Sequence, residues 1–289
     1  MTRRKYFWKT YISGAFVLLL LTASIYLLNR PYLFTDLLSK VGVQFEQSHD
    51  PSQIENAFQP AKVAIPISEF RGFWVYKPNY LLFYDPVIMQ ARFTLHRLKA
   101  ADTRGNANRY GIRFNENEAI GSGTAAYRDY SGSGYDRGHL VPAGDFQCCQ
   151  PLQEETFAMS NIAPFDSVLN RYAWNELEIK IRSWARKNDN LYVITGPLFE
   201  HQLHLIGRYN DVAVPTHFFK LIFTLDPENK QPVKTLAVVL PNVPLYDLDL
   251  EKVTTSIDEL ERISELDFFQ SLPDDIENKM EKAIKNGSW

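Results

Sequence analysis

At 289 residues, 45% of them hydrophobic and 13% aromatic, the chain can bury a sizeable core, and it shows no low-complexity tract or internal repeat, which excludes a disordered or solenoid protein. The net charge of −3 is unevenly spread: residues 247–281 hold twelve acidic and three basic side chains, leaving 28 basic against 22 acidic elsewhere, a net of +6. Whole-chain acidity therefore does not exclude a nucleic-acid partner. The two cysteines, Cys148 and Cys149, are adjacent, which excludes a disulfide framework and reads as free or buried thiols.

In chain order, residues 1–9 carry Arg3, Arg4, Lys5 and Lys9, and 10–29 hold no charge, with Phe16, Val17, Leu18 to Leu21, Ile25, Leu27 and Leu28 making the segment strongly apolar. About 20 such residues span a bilayer as a helix, and basic flanks stay on the cytoplasmic side. The expected arrangement is a single-pass transmembrane helix over 10–29, N-terminus inside, followed by a linker or stalk over 30–61 and a domain over 62–289 outside the cytoplasm. A cleaved signal peptide is the competing reading. Against it, no small-x-small site follows the apolar run, because Thr22-Ala23-Ser24 is succeeded by Ile25 and Tyr26. The basic cluster without a long Arg/Ser-rich presequence suits a bacterial cell envelope, with the mitochondrial inner membrane as the second compartment.

Apolar and β-branched runs at 80–84 and 91–98, separated by Asp85-Pro86, predict two strands joined by a turn. Residues 100–130 are polar and glycine-rich, hence mostly loop. Over 170–187, Tyr172, Ala173, Leu177, Ile181, Trp184 and Ala185 recur at helical spacing. Buried strands are expected at 191–195, 217–225 and 235–240. A helix is expected at 256–263, with Ser256 as N-cap and Glu259 completing a capping box. The sum is one α+β domain.

The stretch that carries chemistry is Gly134-Tyr135-Asp136-Arg137-Gly138-His139-Leu140. A histidine can take a proton from water near neutral pH. An arginine two residues away can hold a phosphate, and the glycine between them permits close backbone approach or unusual dihedrals. Further on, Asn170, Trp174 and Glu178 fall on one face of the expected helix. An amide oxygen and a carboxylate are hard ligands that suit Mg²⁺. Taken singly, His139 reads equally as a structural turn histidine, Asn170 as a helix cap and Glu178 as a solvated face. His49, His96, His201, His204 and His217 show no partner pattern, and His217 reads as a core histidine on an apolar strand.

Asp136-Arg137-Gly138-His139 resembles the signature of the ββα-metal (His-Me finger) non-specific endonucleases, the Serratia-type and endonuclease G-like enzymes. Ser160-Asn161-Ile162-Ala163-Pro164 and the run from Leu169-Asn170 through Trp174 to Leu177-Glu178 resemble two more of that family's segments, and Thr195-Gly196-Pro197-Leu198-Phe199, Val214 to Lys220 and Leu240-Pro241-Asn242 follow in order. The resemblance spans roughly 80–272. It implies a ββα-metal fold with a central antiparallel or mixed sheet, and a metal-dependent, sequence-nonspecific endonuclease acting on DNA and RNA. It implies His139 as general base and Asn170 as direct ligand of one Mg²⁺ (or Mn²⁺), with Glu178 acting through a water. It further implies Asn161 as support for the site and Arg137 as a phosphate contact. A second arginine is implied upstream, either Arg113 or Arg109, and a homodimer is possible within the family. Phe165 departs from the glutamine usual at its position, which puts a local hydrogen bond or substrate contact in doubt. The alternatives from other classes are a phosphodiesterase for small nucleotide-like diesters and a non-catalytic nucleic-acid-binding relative.

Overall fold

The computed structural model describes residues 65–66, 70–116, 120, 123–188, 190–200, 202–286 and 289. The segment 1–9 expected on the cytoplasmic side, the apolar segment 10–29 and the expected linker 30–61 lie outside them. Among the described residues no helix is long and apolar enough to cross a membrane. All of them belong to a unit running from Gln47 to Trp289.

Strands β1 (Phe73–Tyr76), β2 (Tyr80–Asp85), β3 (Gln90–Leu98), β6 (Leu191–Leu198), β9 (His217–Leu225), β10 (Pro232–Pro241) and β11 (Thr254–Thr255) form one sheet in the order β1-β2-β3-β6-β9-β10-β11, with β12 (Lys285–Asn286) also paired to β10. Every pairing within it is antiparallel, for example Leu95 with Ile194 and Val193 with Ile222. The strands read as continuous apolar runs because both faces of the sheet are covered. Successive side chains point to opposite faces. Leu82, Tyr84, Val193, Phe218 and Ile222 therefore enter one core, and Leu81, Phe83, Ile194, Phe219 and Leu221 enter another.

On the first face lie α1 (Gln150–Glu155), α2 (Ser167–Arg171), α3 (Ala173–Asn188) and the short antiparallel pair β4 (Asp136–His139) with β5 (Ile162–Phe165). On the second lie α5 (Ile257–Ser264) and α6 (Asp274–Glu281). The described residues also form a further pair, β7 (His204–Ile206) with β8 (Val212–Val214), the single turn α4 (Leu250–Val253) and 3₁₀ turns at Tyr127–Tyr130, Ala143–Phe146 and Met159–Asn161. Two paired strands followed by helices make the ββα unit: β4 and β5, then α2 and α3.

Two local expectations change. The helix expected over 170–187 is two helices, interrupted at Tyr172 (φ −115°, ψ −91°). Asp166 starts the first of them by accepting from the N–H groups of Val168 (2.8 Å) and Leu169 (3.0 Å). Asn170 is therefore an interior residue of α2 and not a cap, and its N–H bonds the Asp166 carbonyl. At α5, Ser256 accepts from the Glu259 N–H at 3.1 Å as expected. The Glu259 carboxylate, however, pairs with Arg262, so the recorded bonds give one half of the capping box.

Candidate active site

A cleft of about 530 Å³ opens where β4 meets α2 and α3, and Arg109, Phe114, Arg137, His139, Asn170 and Glu178 line it. A larger cavity of about 1000 Å³, lined by Phe199, His217 and Arg262 among others, contains none of the residues that carry the expected chemistry. Volume and chemistry part company here, and the convergence of titratable groups marks the smaller cleft as the candidate site.

His139 closes β4, opposite Ile162 of β5. Its ring is held between Phe157 (centroids 4.7 Å apart, edge to face) and Phe114 (5.8 Å). Its Nε2 is closed off from solvent without a hydrogen-bond partner. Burial, reinforced by the Arg109 guanidinium, pushes its pKa down to about 3, so the ring is a neutral base at ordinary pH.

Asn170 on α2 donates from Nδ2 to Asp136 Oδ2 at 3.2 Å. A carboxylate only accepts, so the amide nitrogen must face Asp136, and Oδ1 is the atom left for a cation. Arg171 grips the same carboxylate with two bonds of 3.1 Å. Asp136 thereby positions the amide, a role that sequence spacing does not reveal. Glu178, on α3, is partly buried, its side chain 13% exposed, and desolvation raises its pKa against the pull of the nearby Lys220 ammonium. Trp174 does not share the cleft. It is 1% exposed, packs on Phe165 and Phe218, and takes the Lys220 ammonium over its ring at 4.7 Å.

Arg137 lies over the Tyr127 ring at 3.9 Å and donates to the Tyr127 hydroxyl at 3.2 Å. Tyr127 opens a single 3₁₀ turn, 127–130. That turn is pinned by Asp129, which accepts from the backbone N–H groups of Arg208, Tyr209 and Asn210 at 3.0, 2.7 and 3.2 Å. Of the two upstream arginines, Arg109 lines the cleft, with its guanidinium 5.9 Å from the Phe157 ring centre. Arg113, the other candidate for the catalytic arginine, lines a different pocket beside Gln150 and Glu154. Loop 100–116 has no regular period, so the sequence offers nothing to phase the two positions. Asn161 is fully buried behind the cleft. It accepts from the Val141 N–H (2.9 Å) and donates to the carbonyls of Val141 (3.0 Å) and Thr156 (2.8 Å), fixing the backbone that follows His139.

Beneath the cleft runs a buried charge network that sequence reading missed. Asp145 accepts from Arg182 at 2.9 Å and contacts His96 Nε2 at 3.0 Å. Arg182 reaches the Glu178 carboxylate at 3.9 Å. Lys220, 1% exposed, donates to Thr195 Oγ1 (2.9 Å) and to the Leu140 carbonyl (3.3 Å). Burial alone would raise the Asp145 pKa, but the His96 hydrogen bond and the Arg182 and Lys220 charges outweigh it and hold the carboxyl below its ordinary range. Two signals were legible. Arg182 follows Glu178 by four residues on one helix face, and Lys220 interrupts an otherwise apolar run.

Gly138 does not take a positive φ. A Cβ there would lie 2.0 Å from Phe165 Cδ2. Phe165 is fully buried and stacked on Phe218 (3.6 Å, 4°), so the residue that departs from the family pattern belongs to the core. Gly138→Ala is expected to lower stability by about 1–3 kcal/mol or more, because neither ring can yield. Urea unfolding measures it, and a midpoint equal to wild type would show that Phe165 can move aside.

The chain is similar to known proteins. Residues 69–275 match the family described as DNA/RNA non-specific endonuclease. The chain is 36% identical over 207 residues to the mitochondrial endonuclease G of Bos taurus, covering 68% of this chain and 69% of that protein. It is 34% identical over 209 residues to nuclease C1 of Cunninghamella echinulata var. echinulata, covering 68% and 82%. A solved structure of an EndoG/EndoGI complex superimposes with a TM-score of 0.68 at 30% identity, over 78% of this chain and 95% of that one. With the matched residues enclosing the whole ββα unit and its cleft, the chain belongs to the DNA/RNA non-specific endonuclease family and is a hydrolase of the phosphodiester bonds of both polymers.

Proposed function

We propose that the cleft hydrolyses phosphodiesters with His139 as general base and one Mg²⁺ (or Mn²⁺) held directly by Asn170, with Glu178 acting through an intervening water. The observation that carries this reading is a neutral, partly buried imidazole sharing one cleft with an oriented amide oxygen and a carboxylate. That donor set fits a hard divalent cation with few protein ligands. When bound, the cation supplies positive charge against the phosphate and the departing oxygen.

The residues of the chain do the rest. Nε2 of His139 is closed off among the described residues, so Nδ1 is the nitrogen left to accept a proton from water, with Nε2 carrying the proton of the neutral ring. The water oxygen bonds to phosphorus as the bond from phosphorus to the 3′ oxygen breaks, and that oxygen leaves as a hydroxyl after taking a proton from solvent. Arg137 and Arg109 offer guanidinium groups to the phosphate. Asn161, Asp136 and the Asp145 network hold these groups in place. Contacts confined to phosphate carry no base information, which accords with nonspecific cleavage. Membrane attachment through residues 10–29, with the catalytic domain outside the cytoplasm, is part of the same proposal and rests on that apolar run. The compartment is either a bacterial envelope or, as the names of the mitochondrial relatives suggest, a mitochondrion.

The test is cleavage of supercoiled plasmid and of RNA with Mg²⁺, with EDTA and with the Asn170→Ala variant. Chelation is expected to stop cleavage of both polymers. Asn170→Ala is expected to weaken Mn²⁺ binding, read by calorimetry, by at least roughly ten-fold. Full activity in EDTA, or unaltered Mn²⁺ affinity in Asn170→Ala, sinks the metal assignment.

A further inference from the structure

Tyr172 and Tyr246 stand in solvent beside the cleft, 51% and 61% exposed, with ring centroids 5.2 Å apart and an interplanar angle of 49°. Hydrolysis uses neither of them, yet the chain holds both in place. Tyr172 is the residue that interrupts α2 and α3. The loop carrying Tyr246 is tied to that break by Ala173 N–H to the Leu245 carbonyl and by Leu248 N–H to Glu176 Oε2, each 3.4 Å.

Their position gives them meaning. Asn170 and Arg171, immediately before Tyr172, line the cleft, and so does Asn175, three residues after it. The Tyr172 carbonyl accepts the Glu176 N–H at 2.8 Å, so Tyr172 already stands in the helical turn that carries Asn175, and residues three apart there are surface neighbours. The tyrosine pair thus extends the rim of the cleft on the Asn170 side. A nucleic-acid strand leaving the cleft in that direction presents phosphates and bases. Arg171 is the cation beside the pair, and aromatic rings are what bases stack on, without regard to which base it is. A base inside a duplex has both faces covered by its neighbours, so only an unpaired base can use such a surface.

We propose that Tyr246, braced by Tyr172, is a stacking platform for an unpaired base of the strand flanking the scissile phosphate. It favours single-stranded or locally opened DNA and RNA over closed duplex. The proposal rests on the nucleolytic reading of the cleft, which cleavage by the wild-type protein tests separately.

The experiment uses full-length protein carrying His139→Ala to prevent cleavage. Fluorescence anisotropy measures binding of a labelled single-stranded oligonucleotide and of its duplex across a series of salt concentrations. Adding Tyr246→Ala is expected to weaken single-strand binding about ten-fold and duplex binding by less than about two-fold. The slope of log affinity against log salt should stay the same, because no charge is removed. Tyr246→Phe should restore single-strand affinity, since the ring and not the hydroxyl stacks. In protein with His139 intact, Tyr246→Ala should leave hydrolysis of bis(p-nitrophenyl) phosphate, a diester without a base, at the wild-type rate. The proposal is overturned by unchanged single-strand affinity in Tyr246→Ala, by equal losses on single strand and duplex, or by a Phe variant as weak as Ala. A change of oligomeric state with unaltered affinity would assign the pair to a protein contact and overturn it equally.

Discussion

His139→Ala is expected to lower kcat/KM on plasmid DNA and on RNA by about 10²–10⁴-fold, the contribution of a positioned general base, while the protein stays folded. The ring is wedged between Phe157 and Phe114, and its Nε2 satisfies no hydrogen bond, so removing it deletes a buried polar atom along with some packing. A cavity of imidazole shape remains, and added imidazole should restore part of the rate. A merely structural histidine would give no such rescue. The same residue has a pH signature. Its folded pKa, about 3, lies below the ordinary histidine value near 6.5. The unfolded chain therefore takes up the proton first as pH falls. The stability linked to neutral His139 is complete above that ordinary value and is lost as pH drops towards the folded one. Between those limits His139→Ala should lose less stability than wild type. Retention of near-wild-type cleavage by His139→Ala would remove the residue from the chemistry altogether.

Asp145→Ala should be the most destabilising single substitution around the cleft, at about 3–5 kcal/mol, because it takes the nearer carboxylate from Arg182 and leaves Arg182 and Lys220 to share Glu178. Arg182 loses its 2.9 Å ion pair, His96 loses its 3.0 Å contact, and Lys220 loses one of the two carboxylates that offset its burial. Arg182 also lines the cleft beside Glu178, so the damage reaches activity through position. Urea unfolding should show a lower midpoint with an unchanged slope. A double-mutant cycle of Asp145→Ala with His96→Ala should be non-additive by more than about 0.5 kcal/mol, as expected for contacting residues. A loss below about 1 kcal/mol for Asp145→Ala would place it with exposed ion pairs, which contribute little. The carboxyl is held below its ordinary range. Its contribution is therefore present above the usual carboxylate pKa and disappears as pH falls through the lower folded value.

The sequence by itself determined the parts whose physics is local. The apolar run 217–225 is a buried strand because both faces of the sheet are covered, and β9 spans His217–Leu225. The expected strands at 80–84, 91–98, 191–195 and 235–240 lie within β2, β3, β6 and β10 for the same reason. The Asp136-Arg137-Gly138-His139 and Leu169 to Glu178 segments mark the cleft because side chains that line one site keep a fixed spacing along elements of fixed geometry. Only the tertiary structure decided what depends on residues far apart in the chain. Helical periodicity runs straight through Tyr172, but the loop of Leu245 and Leu248 docks on the break, so Asn170 and Glu178 come from two helices and Trp174 turns into the core. Arg109 and Arg113 are equivalent in an aperiodic loop until the fold puts one of them in the cleft and the other outside it. Gly138 is glycine because Phe165 of the neighbouring strand covers it, and His96, Asp145, Arg182 and Lys220 form one network although strands, a 3₁₀ turn and a helix supply them separately. Packing and electrostatics act through space, where sequence distance carries no weight, and that is why these contacts left so faint a trace in the chain.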